Sequence, residues 1–174
     1  GIGGPIAAYG AFFHVIVHAA GKTLAFFGAG ELLSRYETRD ADEVRGVIRV
    51  APFTGAMVLL GALAITGVPP FGIFRSELLI VTGGFSQSRY ALAGVLVVLV
   101  NIAFVGVYQL FHRMVISPGE ATARDRTRLS RPEQPLMAIA MLASLAAVLV
   151  LGLWIPSPLN RLLHGATTVI GGRL

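Results

Sequence analysis

The stretch HVIVHAAGKTLAFFGAG, His14 to Gly30, sets two histidines and a lysine four residues apart in otherwise apolar sequence. On a helix, His14, His18 and Lys22 stack along one side, drifting by roughly 40° and rising by about 6 Å at each step. The row covers about 12 Å, less than half of the roughly 30 Å hydrocarbon core of a bilayer. It is therefore one stretch of a path, not a whole crossing. The run around it, residues 6–33, is apolar except for these three groups and Glu31, and exceeds the roughly 20 residues a crossing needs.

Composition agrees with a membrane setting. Of the 174 residues, 55% are hydrophobic and 13% charged, and the mean hydropathy is +0.74. A water-soluble domain carries roughly 25% charged residues. Cysteine is absent, which rules out disulfides and thiolate metal sites within the chain. The net charge of +5 is scattered, with no basic stripe and no interleaved aromatics, so nucleic acid is not an expected partner. The stretch opens at Gly1 without an initiator Met, a basic leader or a cleavage site, and is expected to be a piece of a longer polypeptide.

The pattern predicts an all-α integral membrane protein of about five transmembrane helices, near residues 6–33, 50–68, 71–88, 90–115 and 136–155. Charged loops occupy 34–49 and 117–135, and a tail occupies 156–174 as a short extension or an interfacial helix. The first loop, SRYETRDADEVRGVIR, reads as a solvated turn. Pro69-Pro70 stops the second helix, and the third, with Gly83-Gly84 near its end, reads as tilted, broken or re-entrant. Interrupted segments of this kind are where transporters put coupling groups. Five spans set the two charged loops on opposite sides although both hold several Arg, which leaves the orientation open; with a re-entrant third segment the count would be four and the loops would share a side.

The chemistry rests on few residues. Thirteen of the fourteen basic residues are Arg, and the one Lys is Lys22. Arginine is effectively never deprotonated, whereas a lysine in a low-dielectric site can exchange a proton near neutral pH. Two histidines beside it make a plausible row of proton carriers. Glu77, about two turns after the proline pair, is the acidic counterpart. Arg75 is expected either to face away from Glu77 or, on a distorted helix, to pair with it. Asn101 at mid-span needs a partner, for which an interhelical hydrogen bond is expected. Arg75 and Asn101 thus form a possible secondary polar path, while Glu31 is read as structural. No third ligand accompanies the histidine pair, so no metal site is expected. Neither a cofactor motif nor a catalytic constellation is present.

The string from His14 to Gly30 resembles the H-x3-H-x3-K helix of the antiporter-like, proton-translocating subunits of respiratory complex I and group 4 membrane hydrogenases. GVPPFGIFRSELL, Gly67 to Leu79, is similar to the broken helix of that family, and the PPF and F-x-S-E elements look most like the hydrogenase-4 component F type. The resemblance implies a chain matching the second-repeat and C-terminal helices of a longer subunit. It also implies a central relay at Lys22 with His18 and His14, and Glu77 at the output. The implied setting is a prokaryotic cell membrane, with other membrane subunits of a hydrogenase or dehydrogenase-like assembly, the bilayer and protons as partners. Any oxidoreductase activity would belong to the assembly. A subunit of a multisubunit cation/proton antiporter and a non-conducting structural subunit are the alternatives.

Overall fold

The computed structural model describes residues 3–118 and 134–171, so part of the second charged loop and the end of the tail lie outside the described residues. Seven helices are found among them: α1 (Pro5–Tyr36), α2 (Val47–Val50), α3 (Pro52–Ile65), α4 (Gly72–Ser86), α5 (Tyr90–Val115), α6 (Pro135–Leu153) and α7 (Ser157–Gly171). Proline occupies the first turn of α1, α3 and α6, where its missing N–H costs nothing and its fixed φ favours helix entry. The first helix ends at Glu37, whose left-handed conformation directs its N–H to the Leu33 carbonyl.

Packing is organised by a seam on α1. Ala7, Gly10, Phe13, Val17, Gly21, Leu24 and Gly28 are all buried, at intervals of three or four residues. Small residues in this row let a second helix approach closely, which is how apolar helices gain contact when burial from water offers no drive. A Cβ on Gly28 would stand 2.8 Å from Val58, one on Gly61 3.3 Å from Leu24, and one on Gly21 3.2 Å from Ile65. Further along, a Cβ on Gly72 would lie 2.7 Å from Val17, one on Gly10 2.9 Å from Leu79, and Gly83 fits directly against Ala7. As α1 is followed from its C-terminal to its N-terminal end, its partners run in order from α3 to α4. These two helices therefore lie end to end along α1, antiparallel to it, with residues 66–71 between them near the middle of α1.

This arrangement corrects the expected helix count. Residues 50–68 and 71–88 were each expected to cross, but α3 has 14 residues and α4 has 15. At about 1.5 Å per residue each is roughly 21–22 Å long, short of the core. Among the described residues, three helices are long and apolar enough to cross a membrane, α1, α5 and α6. Gly83-Gly84 does not break the chain either: both residues stay helical inside α4, and the missing side chain of Gly83 admits α1.

The first charged loop is not simply solvated. Val44 and Val47 are buried with Leu32, Val58, Met114 and Val115, so its apolar residues tie α1, α3 and the end of α5 together while its charges, apart from the buried Arg35, stay at least partly outside. Tyr36 donates to the Arg45 carbonyl at 3.0 Å. Asp42 accepts from both Arg45 and Arg113 at 3.0 Å. Exposed pairs of this kind contribute little energy, but the Arg113 bond shows that α5 ends beside this loop. The sixth helix begins at the same end, where Met137 packs near Leu24, Phe27 and Phe53. The described residues that flank the second charged segment, Pro118 and Gln134, thus lie at the same end of the bundle as the first loop, against the opposed arrangement that five crossings would give.

Candidate functional site

Of the expected relay residues, His14 and His18 come together. Their rings stack with centroids 5.4 Å apart and planes inclined by 25°. His14 points across the seam to α4, where its Nδ1 lies 2.9 Å from the Ser76 hydroxyl. Ser76 in turn donates to the Ile73 carbonyl at 2.7 Å and is fully buried. With both bonds held at once, the single hydroxyl proton goes to Ile73, so His14 donates through Nδ1 and its Nε2 is left to accept. Ser76 was not singled out from the sequence. Its position directly before Glu77 in F-x-S-E was the available signal, but a serine in a helix most often bonds its own backbone, and only the antiparallel register with α1 reveals its second partner.

Glu77 stands on a neighbouring face of α4 and curls back onto the interruption. Its carboxylate lies against Gly67, so that a Cβ on Gly67 would stand 3.0 Å from the carboxyl carbon. Gly67 has φ +74°, a left-handed conformation natural to glycine. Glu77, Thr66, Pro69, Val97, Asn101 and Phe104 line one cavity of about 340 Å³ between α4, α5 and the interruption. Asn101 does not make the expected interhelical bond: its amide donates to the Val97 carbonyl of its own helix at 2.8 Å. The amide oxygen is thereby spared for the cavity that Asn101 helps to line.

Arg75 and Glu77 form no ion pair among the described residues. The helix is regular there, residues two apart do not face each other, and the Arg75 charge acts on Tyr9 instead. Glu31 pairs with Arg35 at 2.7 Å, in keeping with a structural role. No group of three or more His, Asp or Glu side chains that could hold a metal is found among the described residues.

Lys22 departs most from expectation. Its neighbour Gly21 faces Ile65 and Ile73, on either side of the interruption, so the lysine is level with it. Yet Lys22 is exposed, on a side of α1 that also shows Val15 and Phe26. The cause is helical geometry: the seam repeats every 3.5 residues, whereas the row repeats every four, so Lys22 is turned roughly 80° from His14. It makes no hydrogen bond or ion pair among the described residues.

Replacing Gly67 by Ala is expected to lower the yield of folded protein, since a Cβ there both strains the left-handed backbone by about 1–2 kcal/mol and displaces the carboxylate. Gly30→Ala, where a Cβ meets nothing within 4 Å, is the matched control. Equal yields of the two variants after detergent extraction would mean that Glu77 is not held against Gly67.

Residues 1–105 match the family described as NADH:quinone oxidoreductase/Mrp antiporter, transmembrane. The chain belongs to this family. It is 30% identical over 172 residues to hydrogenase-4 component B of Escherichia coli, covering 91% of this chain and 25% of that protein. It is 33% identical over 88 residues to a hydrogenase-4 component F homolog of Methylacidiphilum infernorum, covering 51% and 18%. The Mrp complex from Dietzia sp. contains a chain of the same fold, with a TM-score of 0.73 at 21% identity, covering 96% of this chain and 38% of that one. The stretch thus spans about a quarter of the length of hydrogenase-4 component B. These relatives are components of multisubunit assemblies, and this chain is an antiporter-like membrane protein of the complex I, hydrogenase and Mrp group.

Proposed function

We propose that the chain is part of a proton-conducting membrane subunit of a redox-driven complex of the hydrogenase or NADH dehydrogenase kind. The observation that carries this reading is a carboxylate, Glu77, folded against an interruption in otherwise apolar helix and facing a cavity. Ionisable groups at such depth are costly and mark ion or proton pathways. In this reading α3 and α4 are the two halves of one interrupted crossing, so the chain crosses four times with α1, α5 and α6. Protons pass between Lys22, the His18 and His14 pair, Ser76 and Glu77. The outward side of α1 that carries Lys22 is covered by other helices of the subunit, for which the greater length of the relatives leaves room.

Four crossings also support an orientation. Arg35, Arg39, Arg45, Arg49 and Arg113 gather at the loop end, and the segment joining Pro118 to Gln134 adds Arg124, Arg126, Arg128 and Arg131. An excess of arginine on one side favours the cytoplasm for that end.

The test is Glu77→Gln in the native complex reconstituted in vesicles, with proton uptake and assembly measured together. Loss of a positioned proton carrier is expected to reduce uptake by about 100-fold while the complex stays assembled. Normal uptake in an assembled variant would leave the chain a structural role. A cation/proton antiporter subunit is the second reading, favoured by the coverage of this chain by the Mrp fold. Replacing sodium with choline separates the two, because redox-driven proton uptake survives that change and sodium-coupled exchange does not.

A further inference from the structure

The tail expected as a short extension or interfacial helix instead folds back onto the bundle. Leu163 of α7 is buried with Phe13, Val17 and Ile73, so this helix closes over the half of the α1–α4 pair that lies away from the charged loops. Its polar residues Asn160, His164 and Thr167 follow at intervals of four and three and so share one side. That side is turned inward. Tyr9 of α1 donates to Asn160 Oδ1 at 2.6 Å, the Tyr9 and His164 rings lie 4.9 Å apart, and Thr167 is buried. Together with Pro5, Ile6 and Leu79 they line a second cavity, of about 310 Å³. This is a polar lining at a place where an amphipathic helix serving only to cover the bundle would offer apolar residues.

From the exposed His164 through the half-buried Asn160 and Tyr9 the cavity leads to Leu79, which is one helical turn along α4 from the fully buried Ser76 that holds His14; Arg75 and Ser76 themselves lie outside its lining. We infer that the cavity between the start of α1 and α7 is an aqueous mouth linking the His14–Ser76 pair to the solution on the face opposite the charged loops. His164 stands at its rim, and the Tyr9–Asn160 hydrogen bond is its constriction. The titratable and charged groups around it are Tyr9 on α1, Arg75 on α4 and His164 on α7. Tyrosine, histidine and asparagine can pass protons through shared water, and a side-chain pair bridging the cavity is the natural place to limit that flow. This assignment rests on the proton-conducting reading.

The test uses Asn160→Cys in the native complex, with the unsubstituted complex as the labelling background, residues 1–174 themselves containing no cysteine. A membrane-impermeant cationic thiol reagent is applied to one face of oriented vesicles at a time, and labelling is read on the tagged subunit. Labelling is expected only from the face opposite the charged loops, and a bulky adduct is expected to reduce proton uptake about tenfold relative to the unlabelled variant. Leu162→Cys, exposed on another side of α7, reports the reactivity of a position outside the cavity and should lose no uptake on labelling. If the thiol of the Asn160→Cys variant is unreactive, or reacts only from the loop face, the mouth is overturned. So it is if uptake is unchanged by the adduct. Should the unlabelled variant assemble without pumping, sidedness of labelling alone decides. Lys22→Met run in parallel keeps the two ideas apart. Uptake that survives it sinks the proton reading and leaves the labelling result standing, whereas loss of uptake beside an unreactive thiol in the Asn160→Cys variant sinks only the mouth.

Discussion

Lys22→Met in the native complex is expected to leave assembly intact and to reduce proton uptake by about 100-fold, the scale on which positioned proton donors and acceptors contribute. Methionine keeps the length of the side chain and removes the ammonium. A charge at mid-membrane costs about 2.5–3.5 kcal/mol on insertion scales, so its removal eases insertion and the loss of uptake cannot be assigned to misfolding. Lys22→Arg sharpens the point. Arginine keeps the charge but does not release its proton, so it restores nothing if Lys22 carries protons, and restores uptake if only positive charge is needed. The exposed position of Lys22 on α1 makes the pair informative, since neither variant disturbs packing within the described residues.

The second large effect is on packing. Gly152 of α6 sits directly against the interruption, where a Cβ would collide with the Pro70 carbonyl and stand 2.8 Å from the Phe71 carbonyl carbon and 2.9 Å from the Gly72 nitrogen. These are backbone atoms of a segment that also packs against Val17, so no flexible side chain is there to swing away. Gly152→Ala is expected to cost at least about 1–3 kcal/mol, the usual range for overpacking, and to reduce the yield of assembled complex severalfold. Gly94→Ala, where a Cβ meets nothing within 4 Å, should leave the yield unchanged. Native gel electrophoresis of the two variants side by side measures this, and equal yields would mean that α6 does not brace the interruption.

The sequence made the helical class, the apolar runs and the family legible, because apolar length and the H-x3-H-x3-K string are local features. The stop at Pro69-Pro70 was equally local. What followed it was not. Whether two short helices lie side by side or end to end depends on which residues of α1 they meet, and that is fixed by glycines at 21, 28, 61 and 72, far apart in sequence. The same holds for the site. His14 and His18 stack as their spacing implies, and Glu77 faces a cavity. The exposure of Lys22, however, follows from the mismatch between its four-residue interval and the seam. Val44 and Val47 show the limit of reading a loop by its charges, since two valines among charged neighbours decide where that loop packs.

The division of one apolar stretch into α3 and α4 also bears on how the chain is made. Each half is shorter than the segment a translocon recognises as a complete crossing, so neither half halts or enters the bilayer on its own account. If, as proposed, the two halves form one interrupted crossing, the pair leaves the ribosome and enters lipid as a unit, leaning on the finished α1, whose glycine row receives both halves in turn. Biogenesis of this region is thus ordered along the polypeptide, and a lesion in the α1 row would be felt first as failed insertion of what comes after it.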